Sequence, residues 1–260
     1  MKHFIVLTCE ALARSVSAAE ERSPHSLTIR HFRQGLHNTP KTLHDLLQSA
    51  IDGIGPEDCD AILLAYGLCG KATHRLQARY TPLVIPRAHD CITLYLGSRQ
   101  RYLEQFNTYP GTYWYSLDYL ERYSGDNTVT LGAASQAALD DAYKEYVEKY
   151  GKENADYLMK IMGSWHRHYT RAAYIHMDYN EDDTFEQRAK RDASEHGWDF
   201  ERLQGDPRLL NQLLQGEWPE KDFLVVPPGH TILQSMDPEV IIQAEKIEDS
   251  KSSEQLTSFR

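Results

Sequence analysis

The chain has 260 residues, 41% hydrophobic and 25% charged, an ordinary globular balance with room for one large domain or two small ones. Its formal net charge of −10 excludes nucleic acid as the main partner, because neutralising phosphates needs a basic surface. The longest apolar runs, Phe4 to Leu7, Ala61 to Ala65 and Phe223 to Val226, are far too short to span a bilayer, so no membrane partner is expected.

The first apolar run passes straight into Glu10, Arg14 and Glu20 without a cleavage-like segment. It reads as a strand and not a signal peptide, and the expected location is the cytoplasm. Glu10 to Glu21 reads as a helix with Ala11, Leu12, Val16 and Ala19 on one side. Leu27 to Phe32 alternates like a strand, and Pro40 to Ile51 reads as a helix with Thr39 as candidate N-cap. Asp60 to Ala65 and Pro82 to Pro86 are further strands. Continuous apolar strands alternating with helices indicate a mostly parallel sheet covered on both faces.

A similar order returns later. Ala172 to Met177 reads as a strand, Thr184 to Glu195 as a helix and Trp198 to Leu203 as a strand. Pro207 to Gln215 then matches Pro40 to Gln48, and Asp222 to Gly229 matches Asp60 to Gly67. The predicted architecture is therefore α/β, two similar lobes from a duplicated βαβαβ unit. The first lobe covers 1–97, a helical and aromatic-rich connector 98–165, the second lobe 166–236 and a charged tail 237–260. Within the connector, Leu131 to Tyr150 and Glu153 to Met162 read as helices. The tail has an amphipathic helix around Val240 to Ile247, followed by a Ser-rich end expected to be disordered.

Ligands of open α/β sheets bind outside the carboxyl ends of the parallel strands. Cys9 closes the first strand, Cys69 lies in the turn after the third, and His89 and Cys91 follow the fourth. Cys59 precedes the third strand at the opposite rim and is set aside. Cys9, Cys69, His89 and Cys91 form a ligand set for zinc, and three thiolates would also suit an iron–sulfur cluster. The alternative is that each thiol is a small buried hydrophobe. Asp90 is placed to cap a helix whose first residue, Cys91, should be the most reactive thiol. His89, Cys91 and Asp90 are the candidate catalytic residues. Gly67, Arg87, Arg99, Tyr113 and His230 are candidates for holding a cofactor or substrate. The aromatics around Tyr113 read more readily as packing. His176, Asp178 and His230 would face the first lobe's site across a cleft. Trp165-His166-Arg167-His168 reads as a solvated loop.

Tyr66-Gly67-Leu68-Cys69, the run from Leu83 to Ser98, Pro110-Gly111-Thr112-Tyr113 and Phe223 to Gly229 together resemble the domain of unknown function 1638 family, over nearly the whole chain. The resemblance implies an association with corrinoid-dependent methyl transfer, and so a corrinoid protein as partner. His89-Asp90-Cys91 also resembles the His-x-Cys half of the zinc site in corrinoid:thiol methyltransferases, although no later cysteine completes that pattern. The expectation is a zinc-dependent, or second an iron–sulfur, enzyme acting on a small-molecule substrate between the lobes, by methyl or thiol transfer. Its rivals are a corrinoid- or tetrapyrrole-binding accessory protein and a structural or regulatory protein with buried thiols.

Overall fold

The structure is a computed structural model that describes residues 1–122, 147, 151–152, 169–179, 182–237 and 239–247. The expected helices over 131–150 and 153–162, the tract 165–168 and the end of the tail lie outside the described residues, save 147 and 151–152.

The first strands form as the apolar runs require. β1 (His3–Cys9), β2 (Ser26–Phe32), β3 (Ala61–Ala65) and β4 (Leu83–Pro86) pair in the order β2-β1-β3-β4, all parallel. Successive side chains point to opposite faces. Phe4, Val6 and Leu63 therefore enter one core, and Ile5, Leu7, Ile62 and Leu64 the other. The first core takes α1 (Ala13–Glu20) and the second takes α2 (Pro40–Asp52), which buries Leu43, Leu47 and Ile51 at helical spacing. Thr39 makes no side-chain capping bond, so Pro40 at the first turn carries the start of α2 alone.

Asp90 does cap α3 (Cys91–Leu96): its Oδ1 accepts from the Ile92 and Thr93 amides at 3.0 and 3.4 Å. The helix does not run on through Ser98. Gly97 stands at φ 68, in the left-handed region that ends helices, and Ser98 caps a separate α4 (Arg99–Thr108).

The segment Thr112–Ser116, expected in the connector, is a strand, β5, followed by the short helix α5 (Leu117–Glu121). β5 joins β6 (Arg171–His176) and β7 (Asp199–Gln204) in a second parallel sheet, order β5-β6-β7. One face of it, with Trp114, Ala173, Ile175 and Leu203, shares a core with the first sheet. The other packs Tyr113, Tyr115 and Tyr174 against α6 (Thr184–His196) and Trp198.

Strand pairing does not reproduce the duplicated second lobe. The elements recur in order, with α7 (Arg208–Leu214) and β8 (Phe223–Val226) after β7. Yet α7 packs on β3 and β4, and β8 adds to the edge of the first sheet, antiparallel to β4. A short strand can match its neighbour's hydrophobicity in either direction, so pairing partners are decided by the whole core and not by local pattern. The amphipathic helix expected around Val240 is instead β10 (Ile242–Lys246), paired antiparallel with β9 (His230–Gln234). Ile242 enters the second core, while Gln243, Glu245 and Lys246 are exposed. Among the described residues no helix is long and apolar enough to cross a membrane.

Candidate functional site

In the order β2-β1-β3-β4 the chain leaves β1 toward β2 and then returns past it to β3. Such a reversal opens a crevice outside the carboxyl ends of β1 and β3. A cavity of about 310 Å³ lies there, and all four parallel strands send residues to it. Past β1 come Cys9, Ala11 and Leu12, and past β2 come Arg33, Leu36, His37 and Asn38. Past β3 come Tyr66, Cys69 and Gly70, and past β4 come His89, Asp90 and Cys91. Tyr119 of α5 adds a wall from the segment that follows the second sheet's first strand.

The structure therefore brings Cys9, Cys69, His89, Asp90 and Cys91 to one cavity. Main-chain bonds hold the two cysteine-bearing loops together. Leu68 N–H donates to Ala88 O and Cys69 N–H to His89 O, each at 3.0 Å. Cys69 sits at φ 43, an uncommon left-handed conformation for a residue with a side chain. Asp90 Oδ2 accepts from the Tyr102 hydroxyl at 3.2 Å, and the His89 ring lies 6.2 Å from that of Tyr102 between centroids. Both oxygens of Asp90 are thus engaged in holding the loop.

The thiols are not poised as thiolates. Burial pushes Cys9 up to about 11, against an amide bond from Ala11 that lowers it. Burial and the neighbouring Cys9 push Cys69 up to about 12. Cys91 is raised well above the usual thiol range, by burial first and then by Cys69, Asp90 and Cys9. This runs against the expected activation of Cys91 by its helix end: removal from water opposes the partial charge of a six-residue helix.

The donor set matches a soft metal by type, but not by position. Among the described residues no three or more His, Cys, Asp or Glu are grouped so as to hold a metal ion.

The other candidates have different duties. Gly67 does not cradle a ligand: a Cβ there would stand 2.7 Å from the Asp90 nitrogen and 2.9 Å from Ala88 O. Arg87 turns away from the cavity lining, donating to the carbonyls of Glu220 and Val240 at 2.8 Å each, and to that of Ile242. Arg99 binds the Glu239 carbonyl and pairs with its carboxylate at 3.2 Å. Tyr113 packs against Tyr115, Tyr169 and Trp198. His230 opens β9, with its Nδ1 3.1 Å from Pro228 O. Neither these residues nor His176 and Asp178 line the cavity.

Sequence reasoning missed Arg33, His37 and Tyr66. The rule that located Cys9 and Cys69 applies equally past β2, and would have found Arg33 and His37. The Tyr66 hydroxyl is buried with no hydrogen-bond partner among the described residues, and so is His37 Nε2.

Fold and site together define an open α/β protein with a thiol-lined cavity at the topological switch point of a mostly parallel sheet. The chain belongs to the DUF1638 family of proteins of unknown function, whose model matches residues 32–214. That span holds every cavity residue named above except Cys9, Ala11 and Leu12. No curated protein and no solved structure matches the chain.

Proposed function

We propose that the protein binds a small organic molecule in this cavity and acts on it there. One observation carries the reading: four consecutive parallel strands direct their carboxyl-terminal segments to a single cavity of about 310 Å³. That volume suits a small metabolite and not a macrocycle. His89 and the three thiols are the groups at hand for chemistry, and Asp90 holds their loop in place.

The test is mass spectrometry of the extract from protein purified without oxygen. A stoichiometric organic ligand, retained by Arg87→Ala and lost in the cavity-filling Ala65→Leu, supports the reading. Equal ligand content in Ala65→Leu and the parent overturns it. Ala65 lines the cavity, and the added bulk costs about 1–3 kcal/mol if the wall cannot give.

A second reading keeps the metal, zinc first and an iron–sulfur cluster second, on Cys9, Cys69 and Cys91 with His89. Its support is that these thiols share one cavity and raise one another's pKa, which a soft cation would reverse. It requires the Cys69 and Cys91 loops to close toward Cys9. Methyl or thiol transfer and a corrinoid partner belong to this reading. Elemental analysis of the same preparation decides it: about one equivalent of zinc, or a brown protein, favours it, and neither metal counts against it. Of the residues that an accessory corrinoid-binding role would use, His89, a candidate axial ligand, lines the cavity, while His230 and Tyr113 stand elsewhere.

A further inference from the structure

Three polar groups of the cavity wall have no use in the fold. Tyr66 is 2% exposed, and its hydroxyl makes no hydrogen bond among the described residues. A buried hydroxyl without a partner is costly, and such groups are rare in folded chains. His37 Nε2 is buried and likewise unpaired. Burial holds the ring below the usual histidine range, and a neutral imidazole can donate one N–H. Arg33 is exposed, lines the same cavity, and has no ion pair or hydrogen bond among the described residues.

These groups share a sign. A guanidinium, a phenol and an imidazole all offer protons. The cavity's carboxyl, Asp90, is occupied by the Ile92 and Thr93 amides and the Tyr102 hydroxyl. Leu12, Leu36, Leu43 and Ala65 give the wall an apolar part beside the thiols, and Asn38 and His89 also line it.

We infer that the cavity takes a small organic monocarboxylate, with its carboxylate held by Arg33, Tyr66 and His37 and its apolar body against the leucines and thiols. The inference rests on the small-molecule reading above and names the class of ligand. Among the described residues Arg33 is the one Lys or Arg that lines the cavity, which matches one negative charge, and a planar guanidinium matches a planar carboxylate in two parallel bonds. A phosphate dianion would lack a second Lys or Arg among the described residues of the wall. A zwitterionic amino acid would find Asp90, the carboxyl lining the cavity among the described residues, already engaged.

The test uses the full chain and three probes, pentanoate, pentanamide and inorganic phosphate, in ligand-observed NMR titrations. Pentanoate should bind at least about tenfold more tightly than pentanamide, and phosphate should not displace it. Arg33→Gln and Tyr66→Phe should each weaken pentanoate by about fivefold or more while leaving pentanamide unchanged. Both substitutions are close in size to the original residue, and thermal unfolding of each variant confirms a folded chain. Equal binding of acid and amide, or an unaffected Arg33→Gln, overturns the carboxylate assignment and leaves the small-molecule reading standing. Displacement of pentanoate by phosphate overturns it in favour of a phosphate site. Failure of both organic probes, together with an Ala65→Leu variant whose ligand content equals the parent's, overturns this inference and the reading beneath it.

Discussion

Gly67 and Asp90 are in backbone contact. A Cβ built on Gly67 would lie 2.7 Å from the Asp90 nitrogen and 2.9 Å from its Cα, both main-chain atoms that cannot swing aside. The turn after β3 is thus seated directly on the turn after β4, and the two carry Cys69, His89 and Cys91. Gly67→Ala should destabilise the protein by about 1–3 kcal/mol in denaturant unfolding, as overpacking of a tight interior does. Gly53→Ala is the control: an added Cβ there meets nothing closer than 3.5 Å, and φ is −80. It should be neutral or stabilising by up to about 1 kcal/mol. Equal effects at the two positions would show that the turns do not depend on this contact.

Arg87 ties the end of β4 to the last strands through the carbonyls of Glu220, Val240 and Ile242. Its loss leaves carbonyls without a charged donor. Arg87→Ala should cost about 1.5–3 kcal/mol, the usual range for hydrogen bonds to a charged group. Ligand content should be unchanged, because Arg87 does not line the cavity. A stable variant that has lost its ligand would contradict this placement.

Asp118 is fully buried, and its carboxylate accepts from the Arg14 amide at 2.7 Å and the Tyr179 hydroxyl at 2.6 Å. Desolvation nevertheless raises its pKa, outweighing those bonds and the nearby Arg122. A carboxyl whose folded pKa is raised binds its proton more tightly in the fold than in the unfolded chain. Its contribution is therefore present at low pH and is lost as pH rises from about 4, the unfolded value, through the folded one. Relative to wild type, Asp118→Asn should gain stability as pH rises across that window. A wild type that gains on the variant with rising pH would mean that the hydrogen bonds and Arg122 win.

The cavity thiols should be slow to alkylate. With Cys9 near 11 and Cys69 near 12, very little thiolate exists at neutral pH. Labelling by iodoacetamide should be about a hundredfold or more slower than in denatured protein, and should rise about tenfold per pH unit. Cys59 is part-exposed and its pKa is also raised, but it lies outside the cavity and should be labelled first. Peptide mapping by mass spectrometry reads the order. Early labelling of Cys91 would restore the helix-end activation that burial is held here to cancel.

Much of this could be read from residue order. The runs Phe4 to Leu7, Ala61 to Ala65 and Leu83 to Pro86 are strands because they are apolar throughout and bounded by polar or turn residues. The parallel rule then placed Cys9, Cys69, His89 and Cys91 at one end of the sheet, and one cavity does gather them. The capping role of Asp90 followed from its position before the first helical turn.

What the chain order could not decide was anything set by distant neighbours. Phe223 to Val226 is equally apolar whether it pairs with β7 or, as it does, antiparallel with β4. Gly67 and Arg87 looked like ligand contacts, but the backbone of Asp90 and the carbonyls of the C-terminal segment take those places. The thiols illustrate the division best. Sequence alone determined that cysteines stand at the ends of β1 and β3 and after β4. Only the tertiary structure decided that burial raises their pKa values there and that Arg33, His37 and Tyr66 share their cavity, because desolvation and convergence belong to the packed core and not to any stretch of chain.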